Sequence, residues 1–377
     1  MRPQYEILLR ADVLQSLSDY RDALLRKSAE AGSHFGKLLK EKQLEDLSTE
    51  SMLELLLQTK KPLFFAKRSL KGDGSDWTPA EVRILGNVCL GVEVTVFDNG
   101  CWKPKDAEFK THAVPFTAHL VFVPGPLLTG SRSPDYTDLV EGERLNSSKY
   151  FELMKRRLEP AFDFINSKSS QERKALVVIP GIGCGLFGGK FTKELPSILE
   201  ETIARILHQN HQRWLYIKCT TFVPFDGEMK STSIGKISYR VRPHLKHKTP
   251  MLSETKEFEE GSDDFSKDHL FKLVAWDHFS YPGNNFFRCK RQTDDGVSAA
   301  ATDCMARVLG VYGHYDGRGR YMPPKQYESW ESVVKANHIL LEVKENLRIT
   351  PNVEFGTTSR REGNSVAESD LIPRRLM

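Results

Sequence analysis

Residues 174–191 read KALVVIPGIGCGLFGGKF: an unbroken apolar run from Ala175 to Ile179 enters a loop carrying Gly181, Gly183, Gly185, Gly188 and Gly189. The run reads as a strand buried on both faces, and helical spacing from Leu195 to Leu207 follows the loop. Glycines at a strand-to-helix junction let the backbone take positive φ and approach a ligand without Cβ clashes, so successive N–H groups can hold a phosphate beside a helix N-terminus. An isolated GxG would be a flexible turn and no more. Five glycines in nine residues shift the reading to a diphosphate cradle. A Walker A loop does not fit, because Cys184 stands where its first Gly belongs and Phe191 where Ser or Thr is required. The dinucleotide fingerprint fails as well, since no acidic residue closes a following strand at the expected distance. Kinases and dinucleotide dehydrogenases are therefore disfavoured.

Outward from this loop the chain alternates strand and helix. Upstream lie β-rich runs at Gly91 to Phe97 and Ala118 to Val123, the second ending in Pro124, Gly125 and Pro126. Tyr150, Met154, Leu158, Phe162 and Ile165 mark a helical stripe that Pro160 should kink or break. Downstream come a strand at Leu215 to Phe222, another at Leu270 to Trp276, a helix from about Gly296 to Leu309 and a last helix from about Ser329 to Val343. Such alternation predicts an α/β fold with a mainly parallel sheet. Helical spacing from Tyr5 to about Lys60 (Val13, Leu17, Tyr20, Leu24) predicts an N-terminal helical region over 1–75, with Ser51 and Glu54 as a capping box and Thr78, Pro79 and Glu81 opening a further short helix. The ligand-binding domain then spans 76–350 and contains a polar insertion at 231–264. That insertion is basic around Arg240 to Lys248 and acidic from Glu254 to Asp264; apart from an extra strand at Ile234 to Val241 it reads as solvated loop. Residues 351–377 read as a disordered tail.

The bulk composition narrows the class. The 377 residues, 39% of them hydrophobic, suffice for a large soluble core. The 54 basic residues nearly balance the 50 acidic ones, for a net charge of +4, so nothing points to nucleic acid as a partner. The six cysteines form no CxxC pair, which argues against zinc and against a disulfide framework and fits a cytoplasmic protein, with the nucleus as the alternative compartment. No run approaches the roughly 18 apolar residues of a membrane span.

The form PGIGCGLFGG resembles the second phosphate loop of macrodomains, in which a strand ending in Pro or Ser leads into GxGxGxFG and then a helix. Ala118 to Pro126, AHLVFVPGP, resembles the macrodomain strand that ends in a Gly-Pro turn. The first macrodomain loop normally precedes this one; here its counterpart lies downstream, in Leu273 to Asp303, LVAWDHFSYPGNNFFRCKRQTDDGVSAAATD. That order resembles a circularly permuted, noncanonical macrodomain of the MavL type over roughly Glu81 to Val343. The resemblance implies a three-layer α/β/α sandwich that binds ADP-ribose as ligand or product without any cofactor. It further implies an ADP-ribosyl hydrolase acting on the N- or O-glycosidic bond of a modified protein, with arginine-linked ADP-ribose and ubiquitin as type substrate. The alternative is a reader module that binds ADP-ribose without cleaving it.

On this reading Gly181, Ile182, Gly183, Cys184, Gly185, Leu186, Phe187 and Gly188 line the diphosphate, Phe187 either packing on the distal ribose or anchoring the core. Asp264, beside Asp263 and Phe265, stands at about the distance from the next strand at which macrodomains place the Asp that binds the adenine amino group. Asp277 sits at a strand C-terminus, the edge where α/β proteins hold ligands, and is expected at the ribose. Asn284 and Asn285 can donate to ribose hydroxyls, although a PGNN turn explains them almost as well. Cleavage at the anomeric carbon passes through an oxocarbenium-like state that a nearby carboxylate stabilises. Asp295 is the first choice for that role: in the first turn of a helix its dipole should keep it ionised, suited to orienting water rather than donating a proton. Asp294 is either an N-cap or a catalytic partner. Asp303, eight residues on, would lie about 12 Å along the same helix and could serve the far part of an extended ligand. Cys184 has no neighbouring His base and reads as packing; His208 and His211 fit a helix C-terminus.

Overall fold

Alternate residues of each central strand face opposite ways, and both sets are apolar: Leu120, Phe122, Leu176, Val178, Leu270 and Val274 enter one core, while Val121, Val123, Val177, Ile179 and Leu273 enter another. A sheet buried on both faces must carry helices on both, and it does. The computed structural model describes residues 4–71, 73–106, 108–247 and 251–351. The tail expected over 351–377 therefore lies, apart from Pro351, outside the described residues.

Nine strands make one sheet: β1 Tyr5–Arg10, β2 Cys89–Asp98, β3 Thr111–Pro124, β4 Ala175–Pro180, β5 Ile217–Val223, β6 Lys230–Ile234, β7 Ile237–Val241, β8 His269–Trp276 and β9 Leu347–Thr350. Their order is β9-β1-β2-β3-β8-β4-β5-β7-β6. The central run from β3 to β7 is parallel throughout. Only β2 and the edge strand β6 run against their neighbours. The result is the mixed, mainly parallel three-layer sandwich expected of this sequence. Strand β8 comes after β4 in the chain but sits between β3 and β4, which brings the downstream acidic segment beside the glycine loop.

One face carries α4 Ser147–Ser167 and α5 Leu195–Asn210, through Tyr150, Leu158, Phe162, Leu199 and Ile203. The other carries α1 Ala11–Leu25, α2 Thr49–Gln58, α3 Pro79–Leu85, α6 Asp294–Ala301, α7 Cys304–Leu309 and α8 Trp330–Asn337, through residues such as Leu17, Met52, Val82, Ala299 and Trp330. The N-terminal helices are thus the second helical layer. Among the described residues no helix is long and apolar enough to cross a membrane.

Four expectations need correction. The helical reading from Tyr5 fails over β1, whose Ile7, Leu8 and Leu9 are all buried between β2 and β9; the helical periodicity begins only at Ala11. The α2 cap is Ser48, which accepts from the Ser51 N–H, rather than Ser51; Thr78 and Glu81 do form a capping box on α3. Helix α4 runs through Pro160 without interruption, because burying Leu158, Phe162 and Ile165 on one stripe outweighs one missing hydrogen bond. The polar insertion opens with a hairpin rather than a single strand, β6 pairing with β7 at the sheet edge, and its basic and acidic halves neutralise each other, Arg240 pairing with Asp263 at 2.5 Å and Arg242 with Glu260 at 2.5 Å.

Candidate functional site

The C-terminal ends of the parallel strands share one edge of the sheet, and a cleft of about 1220 Å³ opens there. Its walls come from the glycine loop, the start of α5, the loop after β5, the loop between β2 and β3, and the beginning of α6.

The glycine loop is shaped by backbone contacts. Ile182 N–H donates to Pro180 O at 2.8 Å and Cys184 N–H to Gly181 O at 3.0 Å, which folds the chain back as it leaves β4. Gly183 has φ +74°, and a Cβ there would sit 2.5 Å from Pro126 Cδ; a Cβ on Gly125 would lie 2.7 Å from Gly183 Cα. Two main chains touch at this point, so glycine is required for space as well as conformation. The Gly125 N–H donates to Trp276 O at 3.1 Å, and the Leu128 N–H to Phe187 O at 2.7 Å. The ends of β3, β4 and β8 are therefore tied together through their backbones. Among the described residues neither the Gly183 nor the Gly185 N–H has a backbone acceptor.

Of the loop residues expected at the ligand, Gly181, Cys184 and Gly185 line the cleft. Ile182, Gly183 and Gly188 are buried beneath it, and Leu186 is exposed. Phe187 is half-buried against the core with its ring 6.5 Å from that of His278, an anchoring position. Burial pushes the Cys184 thiol up to about 12, so it stays protonated and takes no nucleophilic part.

The acidic segment is built from side chains. Asp277 is buried within its own loop: Oδ1 accepts from Phe279 N at 2.6 Å and Ser280 N at 2.7 Å, and Oδ2 from Ser280 Oγ at 2.5 Å and Asn284 Nδ2 at 3.1 Å. It shapes the turn and does not line the cleft where a ribose was expected. Asn284 faces the N-terminal layer, accepting from Phe64 N at 2.9 Å and donating to Phe64 O at 2.7 Å. Asn285 Nδ2 donates to Thr293 Oγ1 at 3.1 Å, and its Oδ1 has no partner. Thr293, not Asp294, caps α6, its hydroxyl accepting from Gly296 N at 3.1 Å. Asp294 is thereby left free to form part of the cleft wall with Ala275 and Val297; its carboxylate holds Lys272 Nζ at 2.6 Å and the Ala275 N–H at 2.9 Å.

Asp295 departs most from expectation. It is 3% exposed, and among the described residues its Oδ1 has no hydrogen-bond partner. Burial, with the charges of Asp277 and Asp294 added, pushes its carboxyl well above the usual carboxylate range despite the opposing Lys272. The helix dipole, worth about 1 kcal/mol at an exposed first turn, is overridden by a desolvation cost of several kcal/mol. Burial thus favours the protonated form of Asp295 over the ionised, water-orienting form that its helix position suggested.

Asp303 is not on the same helix, which ends at Ala301; it stands at the N-cap position of α7 without a side-chain cap bond, and its carboxylate accepts from Thr95 N at 2.7 Å and Arg307 Nε at 3.0 Å, joining α7 to β2. Asp264 is exposed at the opposite edge of the sheet: its carboxylate accepts from Ser266, and its carbonyl from Lys218 at the start of β5. The chain between Met251, on the cleft, and β8 crosses the whole sheet, which carries Asp264 away from any adenine bound there.

Two cleft residues escaped the sequence reading. Trp102 (52% exposed) and Phe225 (70% exposed) stand on loops at the mouth, open to stack on a planar group. An aromatic inside the polar run NGCWKPKD was the available signal for Trp102, whose loop is held where Arg291 pairs with buried Asp98 at 2.6 Å and donates to Cys101 O at 2.8 Å. Among the described residues no cluster of three or more His, Cys, Asp or Glu could hold a metal ion.

The family model of the macrodomain effector MavL matches residues 5–327. No curated protein matches the chain.

Proposed function

The chain belongs to the MavL macrodomain effector family, a membership that carries ADP-ribose binding or hydrolysis at a general level, and from that premise we propose that it is a hydrolase that releases ADP-ribose from modified protein side chains. The observation that carries this reading is the glycine loop, in which among the described residues the Gly183 and Gly185 N–H groups have no backbone acceptor, set one strand away from Asp294 and the buried Asp295. The diphosphate would lie along Gly181, Cys184 and Gly185 at the head of α5, with the adenine against Trp102 or Phe225. Cleavage breaks the bond between the anomeric carbon and the acceptor atom. Asp295 donates its proton to the leaving acceptor, Asp294 stabilises the oxocarbenium-like carbon and orients water, and the proton from the attacking water restores Asp295. Arginine-linked ADP-ribose, with ubiquitin as the protein acceptor, is the substrate that the family resemblance favours, and the order of the two loops favours a circularly permuted macrodomain.

A reader module is the second reading, and one observation favours it: Asp295 does not itself line the cleft. One measurement tests both readings together, and a second separates them. Calorimetry with ADP-ribose gives binding heat under both, and an absence of heat at millimolar ligand defeats both. Incubation with mono-ADP-ribosylated substrates of several linkages gives free ADP-ribose only from a hydrolase.

A further inference from the structure

A short segment of the N-terminal layer, Lys60 to Phe64, is hydrogen-bonded to the acidic loop. Lys61 N–H donates to Phe279 O at 2.8 Å and Tyr281 N–H to Lys61 O at 2.8 Å, while Phe64 exchanges two bonds with Asn284. Phe64, Trp77 and Phe279 pack ring on ring with centroids 4.9–5.4 Å apart. Within this segment Lys60 is 2% exposed, yet the hydrogen-bond acceptors of its Nζ among the described residues are carbonyls and not carboxylates. Nζ donates to His278 O at 2.7 Å, lies 3.4 Å from Asp277 O, and sits 4.0 Å over the Trp276 ring. Replacing a buried charge by an apolar side chain is often neutral or stabilising, so a cation hydrogen-bonded only to loop carbonyls, with the Asp277 charge offsetting part of its burial, calls for a role other than stability.

We propose that Lys60 is a positioning residue: its buried ammonium fixes the Asp277 and His278 carbonyls and, through the Asp277–Asn284 hydrogen bond, the turn that leads into α6 and Asp295. The kinetic consequence rests on the hydrolase reading; the structural consequence does not. The groups around Nζ are Asp277 and His278 on the loop and Cys89 on β2, with Arg157 and Asp135 against His278. Burial brings the Lys60 ammonium down to about 7, so the hold weakens as pH rises through that value.

The test compares the full chain with its Lys60→Met and Lys60→Arg variants. Lys60→Met is expected to unfold at a temperature no lower than the parent, because a buried charge has been removed. It should lose about tenfold or more in hydrogen-exchange protection at Phe279 and Tyr281, with β8 unchanged, and about tenfold or more in kcat with KM and ADP-ribose affinity held within about threefold. Lys60→Arg should restore kcat and make loop protection independent of pH across about 7, where the parent loosens. Retained loop protection in Lys60→Met overturns the proposal, and so does a loosened loop with unchanged kcat. If the parent cleaves no linkage, the hydrolase reading fails by itself and the exchange comparison still decides Lys60. Should Lys60→Met not fold, an identical pH response in the parent and Lys60→Arg overturns the proposal.

Discussion

The two halves of the cleft are built by different means. The glycine loop is a backbone object: its shape follows from positive φ at Gly183 and Gly189 and from main chains in direct contact at Gly125 and Gly183. The acidic segment is a side-chain object, in which Asp277, Asn284, Asn285 and Thr293 bond to each other and to Phe64 from the N-terminal layer. A backbone-built half fails through added atoms; a side-chain-built half fails through lost partners and shifted protons.

The sharpest way to break this contrast is at Gly183. Gly183→Ala is expected to cost about 2 kcal/mol or more, because it combines a left-handed backbone with a Cβ at Pro126, and to abolish ADP-ribose binding by calorimetry. Gly185→Glu, at a position where a Cβ meets nothing within 4 Å, should keep the parent melting temperature and lose binding through charge repulsion with the diphosphate. If both variants melt normally, the loop is not built as described.

Asp295→Asn tests the other half. The amide matches the neutral acid in shape, so ADP-ribose affinity should stay within about threefold while release falls about a hundredfold or more. The sign of the pH effect follows from the raised folded-state value. The folded chain holds a proton there that the unfolded chain loses near pH 4, so the stability Asp295 contributes is fully present below that pH and is lost as pH rises through the folded value. Asp295→Asn should flatten that decline, and urea unfolding across pH measures it. In the parent, release should also fall as pH rises and Asp295 ionises. An identical pH profile in parent and variant would transfer the acid role elsewhere.

These two halves also differ in how far the sequence discloses them. Glycine spacing and a preceding apolar run are local, so the glycine loop, the strand before it and the helix after it can all be read from residues 174–207. The proton on Asp295 is set by burial and by Asp277, 18 residues away in the chain and inside the same loop system; helix position alone points to the opposite charge state. Asp303 misleads for a similar reason: a break at Thr302 turns one expected helix into two and delivers the carboxylate to Thr95. β1 is hidden because Glu6 and Arg10 give a charged flank beside a long helical stripe, and only the strands on either side of it make it a strand.

Smaller effects delimit the site. Asp303→Ala should cost about 1–3 kcal/mol, from an orphaned Thr95 N–H, yet leave kcat unchanged at a temperature where the variant is folded. A drop in kcat without loss of stability would return Asp303 to the chemistry. Asp264→Asn, at the far edge of the sheet, should alter ADP-ribose affinity by less than about twofold.

The placement of β1 between β2 and β9 bears on synthesis as well as on architecture. The Tyr5 hydroxyl and Glu342, which meet beside these strands, are 337 positions apart in the chain. The ribosome delivers one side of that pairing long before the other. Until Leu347–Thr350 emerges, β1 presents unpaired N–H and C=O groups along a buried, apolar strand, the arrangement most prone to pair with a neighbouring copy. The nascent chain is therefore most exposed to misassembly just before Leu347–Thr350 arrives, and a premature stop ahead of residue 347 would make that exposure permanent.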